Sequence, residues 1–196
     1  TPWGGGTNIL FTARLFPALS NELTHAQIQI EAQSAQTPWA SATNVNLHLT
    51  LISLAPQPEL ASAELSLQAD EVQTPWANAG GLILDARWVH SITNPIPLSA
   101  RVTAGANTVS TRWASGDGVH VEATLVRTTN PPSTQPALGF WTNLLTYQSS
   151  CLVSAVKLRT EKLSADSVQV VGGWNAPSLT ISNLQADVDR GSLRSK

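Results

Sequence analysis

The chain has 196 residues, a charged fraction of 12% and a formal net charge of −2 at pH 7. That charged fraction is about half the usual value of roughly 25%, and no basic run is present, so nucleic acid has no electrostatic foothold. No apolar run reaches the length of about 18 residues that a membrane-spanning helix needs, and the single cysteine, Cys151, excludes an internal disulfide.

A repeat organises the chain. Thr1-Pro2-Trp3, Thr37-Pro38-Trp39, Thr74-Pro75-Trp76 and Thr111-Arg112-Trp113 begin at residues 1, 37, 74 and 111, steps of 36, 37 and 37. A fixed period of this size marks an array of supersecondary units. After each Trp come a few small residues and then strict alternation of apolar and polar side chains. The apolar positions align in four columns: Ile9, Val45, Leu82 and Val119; Phe11, Leu47, Leu84 and Val121; Ala13, Leu49, Ala86 and Ala123; Leu15, Leu51, Trp88 and Leu125. Period two means half-buried strands.

In the first repeat the outbound strand is followed by a loop around Pro17 and Asn21. A return strand comes next, with Ala26, Ile28, Ile30 and Ala32 on one face. The second repeat returns through Ala63, Leu65, Leu67 and Ala69, the third through Leu98, Ala100, Val102 and Ala104. Pro58, Pro95 and Pro132 fall 37 apart and mark where pairing ends, since proline cannot donate to a ladder. Strands 8–15, 44–52, 81–89 and 118–126 are therefore expected at alternate places in one antiparallel sheet, with 26–33 and 62–70 between them. In the fourth repeat Phe140, Trp141, Leu144, Leu145 and Gln148 approach helical spacing, enough for one or two turns. After Ser150 the Trp spacing breaks, but strands continue over 152–159, 163–171 and 177–188. Two of these slip phase by one residue, at Asp166-Ser167 and at Ser182-Asn183. Such a slip is the mark of a β-bulge, which sharpens twist.

The fold expected is all-β: a twisted antiparallel sheet of about 37-residue two-strand repeats, curved into an open hydrophobic groove or a flattened barrel. Residues 1–150 form four Trp-led repeats and 151–196 continue the array. The start on a repeat boundary and the stop at Gly191-Ser192-Leu193-Arg194-Ser195-Lys196 read as a piece of a longer protein, with any signal or anchor outside it.

Catalysis finds no candidates. His25, His48, His90 and His120 lie on separate strands or loops, no metal-ligand spacing occurs, and Gly4-Gly5-Gly6 does not join a strand to a helix. Cys151 starts an alternating run and reads as a small buried residue. No cofactor is expected, and no enzyme activity. Trp3, Trp39, Trp76 and Trp113 form a rim at the mouths of the strands. Structural plugs are the favoured reading, and an aromatic platform for sugars is the alternative. The apolar columns remain. A closed sandwich would bury them; an open sheet would leave a trough, which soluble proteins rarely expose unless it binds something apolar.

The segments Leu163-Ser164-Ala165-Asp166-Ser167-Val168-Gln169-Val170 and 174–193, the latter ending in Asp189-Arg190-Gly191-Ser192-Leu193, resemble the C-terminal repeats of AsmA-like proteins, a superfamily that includes TamB-type proteins. Relatives commonly carry an aromatic and a second glycine where this chain has Asp189-Arg190. The resemblance implies a periplasmic β-sheet with a hydrophobic groove, in a Gram-negative envelope protein anchored in the inner membrane outside this segment. It also implies phospholipid acyl chains as partners, in lipid transport or outer-membrane assembly. On that view Ile9, Phe11, Val45, Leu47, Leu49, Leu51, Leu82, Leu84, Trp88, Val119, Val121 and Leu125 are the groove candidates. A secreted structural or adhesive β-array with a closed core is the alternative, and a carbohydrate-binding module using the Trp rim is a third.

Overall fold

The computed structural model describes residues 4–16, 25–54, 59–128, 146–175, 178–188 and 191–195. They form twelve strands: β1 (Gly5–Thr7), β2 (Leu10–Phe16), β3 (His25–Gln36), β4 (Ser41–Ser53), β5 (Leu60–Gln73), β6 (Ala77–Ser91), β7 (Asn94–Thr111), β8 (Ala114–Arg127), β9 (Tyr147–Thr160), β10 (Ser164–Asn175), β11 (Ser178–Val188) and β12 (Gly191–Ser195). All belong to one antiparallel sheet, and from β3 to β12 each strand pairs with its neighbours in sequence. β1 and β2 both pair with β3 in one continuous register, so they are two halves of a single edge strand. The outbound strands occupy alternate places, as the repeat requires. Among the described residues the edges do not pair with each other, so the sheet they form is open and not closed into a flattened barrel.

A single layer has little to bury. The chain exposes 13460 Å², against about 8,900 Å² for a compact protein of this size. Among the described residues no large side chain is fully buried. The buried positions among the described residues are small or lie near the ends of strands: Ala32, Ala61, Ser62, Ala63, Ala69, Gly116, Gly172 and Tyr147, whose hydroxyl donates to Pro97 O at 2.8 Å. Cohesion comes from the ladders and from side chains meeting across strands.

The turns explain the Trp motif. Thr74 N donates to Ala77 O at 2.9 Å, closing a two-residue loop, Pro75-Trp76. Proline fixes φ near −65° and so forbids the left-handed turns that such loops prefer. The threonine hydroxyl replaces the missing backbone acceptor. Thr74 Oγ1 accepts from Ala77 N at 2.9 Å and from Trp76 N at 3.2 Å, and donates to Ala77 O at 2.9 Å. Thr37 and Thr111 do the same. So does Thr160, in Thr160-Glu161-Lys162-Leu163, where Leu163 N donates to Thr160 Oγ1 at 3.0 Å. The repeat therefore continues past residue 150 with its threonine kept and its tryptophan lost.

The small residues after each Trp are part of the strands, not a lead-in to them. What separates them from the alternating run is a crease. Asn8, Asn44, Gly81 and Gly118 adopt left-handed φ of 50°, 50°, 64° and 53°. Each stands five positions after the Trp of its repeat, and Gln33, Asp70 and Asn107 face them from the return strands, one row across the sheet. Asn and Gly tolerate this conformation best. Asn8 Nδ2 donates to Gln33 Oε1 at 2.6 Å and Asn44 Nδ2 to Asp70 Oδ2 at 2.7 Å. A methyl group placed on Gly6 would lie 3.0 Å from Ile9 Cδ1, and one on Gly116 would lie 3.6 Å from Val119 Cγ2. Residues three apart thus share a face across the crease, so alternation restarts in the opposite phase.

Both expected bulges are present. Ala165 and Ser167 oppose Val188 and Asp187, which leaves Asp166 as the extra residue of β10; Val171 and Gly172 oppose Asn183 and Ile181, which leaves Ser182 as that of β11. Ser182 Oγ donates to Val171 O at 3.1 Å. Two details differ from the expectation. β7 starts at Asn94, so Pro95 is the second residue of a strand, in the irregular register beside His90. Pro58, Pro132 and most of the segment expected to be helical lie outside the described residues, and Gln148 belongs to β9.

Candidate functional site

The registers gather the apolar columns into rows that run across the strands. Phe11, Ile30, Leu47, Leu67, Leu84, Ala104, Val121, Val153, Val170 and Leu184 are successive partners from β2 to β11. All ten are apolar. The next row runs Ala13, Ile28, Leu49, Leu65, Ala86, Val102, Ala123, Cys151, Gly172 and Ile181, again without a polar side chain. The third holds Leu15, Leu51, Trp88, Leu125, Trp174 and Leu179, with Ser149 as its one polar member. Both β10 and β11 stay in phase only because each bulge resets them.

Ile9, Val45, Leu82 and Val119 stand beside the crease, where Ala32 partners Val45 and Ala69 partners Leu82. Beyond it Ala35, Ala42, Val72, Ala79, Val109 and Gly116 make a further apolar row toward the turns. That row escapes a reading of the sequence because it lies out of phase with the rest. The return-strand members Ile28, Ile30, Leu65 and Leu67 are legible as strand residues but not as part of the same surface. They are the actual neighbours of Leu49: Ile28 and Leu65 flank it, and Ala13 and Ala86 lie two strands away.

Across nine strand spacings of about 4.8 Å the face extends roughly 43 Å. Its large side chains are half-buried by each other, and Ile9, Phe11 and Leu15 near one edge and Leu179 and Ile181 near the other are exposed. The opposite face is mostly polar, with Leu10, Ile83 and Val126 exposed among the polar residues. Thr12, Gln29, His48, Ser66, Asp85, Thr103 and Glu122 form one row there. Arg87 and Arg101 oppose each other in the next, each drawn to a carboxylate, Glu64 for Arg87 and Glu122, at 3.6 Å, for Arg101. A depression of about 440 Å³ on this side is lined by His48, Glu64, Asp85 and Arg87 among others.

Among the described residues the apolar side carries one reactive side chain, the Cys151 thiol, and no group of residues that could hold a metal is present. What it can do is cover something long and apolar on one side. No family model, curated protein or solved structure matches this chain. The resemblance to AsmA-like repeats accordingly rests on residues 163–193 alone, and function must be drawn from the geometry.

Trp39, Trp76 and Trp113 occupy the second loop position of their turns and are 59%, 68% and 62% exposed; Trp3 lies outside the described residues. The Arg112 guanidinium sits 4.0 Å over the Trp113 ring. Between the turns of Trp76 and Trp113 lies a cavity of about 600 Å³.

Proposed function

We propose that this chain is a non-enzymatic segment of an envelope protein whose open apolar face shelters phospholipid acyl chains as they pass between membranes. The observation that carries the reading is the uninterrupted ten-residue row from Phe11 to Leu184, on a sheet that buries no large side chain fully among the described residues. A closed structural array would need those same side chains covered by its own second layer. Burying a methylene is worth about 0.8 kcal/mol. One-sided cover of a dozen methylenes therefore gives roughly 5 kcal/mol per chain before the cost of association. Contact of that strength holds a lipid loosely enough to move along the rows, with its headgroup in water at the sheet margin. The setting we propose is the periplasm of a Gram-negative cell, with an inner-membrane anchor elsewhere in the full-length protein. The low charge and the resemblance of residues 163–193 support that setting.

The test is Leu49→Asp, at the centre of the second row, with His48→Asp on the polar face as its control. On an open face the new carboxylate reaches water, so both variants should fold, Leu49→Asp with a thermal midpoint lower by about 2–4 °C for the half-buried leucine it loses. Mass spectrometry of organic extracts from the purified proteins should then find phospholipid with the parent and the His48 variant, and little with Leu49→Asp. If Leu49→Asp unfolds and the parent carries no lipid, the face is a buried core and the structural array replaces the conduit.

A further inference from the structure

We propose that the turns bearing Trp39, Trp76 and Trp113 bind a β-1,4-linked polysaccharide laid across the ends of the strands. The turn does not need its tryptophan. Thr160 closes the same loop over Glu161-Lys162, and Thr111 closes it with Arg112 in place of proline. The indoles are therefore free of structural duty at their turns, and more than half of each is in solvent. Successive turns lie two strands apart, about 9.6 Å. In a β-1,4-linked chain each sugar is turned over relative to the last, so every second ring presents the same C–H face, at a repeat close to this spacing. A row of indoles so placed meets alternate rings of one glycan.

Hydrogen-bonding groups stand where the hydroxyls would lie. Alanine stands directly after each of these tryptophans, but Asn78 follows Trp76 by two residues and Ser110 arrives from the neighbouring strand. Asn78 and Ser110 are cross-strand partners, and with Arg112 they line the cavity between Trp76 and Trp113. Arg112 over the Trp113 ring also steadies that indole by a cation–π contact. A bilayer interface is the other environment that collects tryptophan, but it has no repeat that matches indoles spaced about 9.6 Å apart. This surface is at the turn end and does not depend on the acyl-chain reading.

The experiment titrates the 196-residue chain with cellohexaose, chitohexaose, the matching disaccharides and phosphatidylglycerol vesicles, by calorimetry and indole fluorescence. One of the hexasaccharides should bind at least about tenfold more tightly than its disaccharide, because only the longer chain reaches two tryptophans. Trp76→Ala and Asn78→Ala should each weaken that binding severalfold, with the circular dichroism spectrum unchanged. Equal affinity for hexa- and disaccharide, no binding of either hexasaccharide, or binding untouched in both variants would overturn the proposal. A fluorescence shift with vesicles alone would assign the row to a membrane surface instead.

Discussion

If threonine rather than tryptophan builds the turn, Thr74→Ala is the substitution that exposes it. The variant leaves Ala77 N and Trp76 N without the hydroxyl that accepts from them at 2.9 Å and 3.2 Å, and removes the bond to Ala77 O. A half-buried N–H left without a partner costs about 1–3 kcal/mol; the turn lies at the sheet margin, which places the loss near 2 kcal/mol. For a chain of this length that is a fall in Tm of roughly 4–8 °C. Thr74→Ser keeps the hydroxyl and should cost less than about 0.5 kcal/mol. Trp76→Ala gives a third value. About a third of a side chain of roughly 250 Å² is covered, so the loss is near 2 kcal/mol, short of the 3–5 kcal/mol of a core tryptophan. Thermal unfolding followed by circular dichroism measures all three. The reasoning fails if Thr74→Ser is as damaging as Thr74→Ala, or if Trp76→Ala costs the roughly 3–5 kcal/mol of a core tryptophan.

Gly81→Ala tests the crease: a left-handed alanine costs about 1–2 kcal/mol, offset by up to about 1 kcal/mol from the unfolded chain, so the urea midpoint should fall modestly. A rise would mean that φ there is not held at 64°. Tyr147→Phe deletes the bond to Pro97 O and should lower stability by about 1 kcal/mol, with faster hydrogen exchange at the β7 and β9 ends.

Much of this fold is written in plain periodicity. Period-two runs such as Val45-Asn46-Leu47-His48-Leu49 name the strands, and the 37-residue step fixes their alternate order. The two phase slips at Asp166 and Ser182 give the bulges from the pattern alone. The crease is harder to see. Asn8, Asn44, Gly81 and Gly118 recur at the repeat spacing, but their phase reversal makes the residues before them resemble a linker. The Thr160 turn escapes because the eye follows tryptophan, whereas the bonds follow the hydroxyl. Rows depend on register, which joins residues far apart in sequence; columns of Ile9 and Val45 type skip every return strand. An exposed tryptophan cannot be told from a buried one by spacing alone, which is why the rim reads as plugs.

Cys151 offers the most direct test of the open apolar face. It is the chain's single cysteine, half-buried in the second row between Ala123 and Gly172. The measurement is its rate of reaction with an aromatic disulfide reagent in native buffer, with and without a short-chain phospholipid. An open face that takes acyl chains predicts reaction much faster than global unfolding, slowed severalfold by the phospholipid. Reaction no faster than unfolding, or a rate indifferent to phospholipid, would contradict the account.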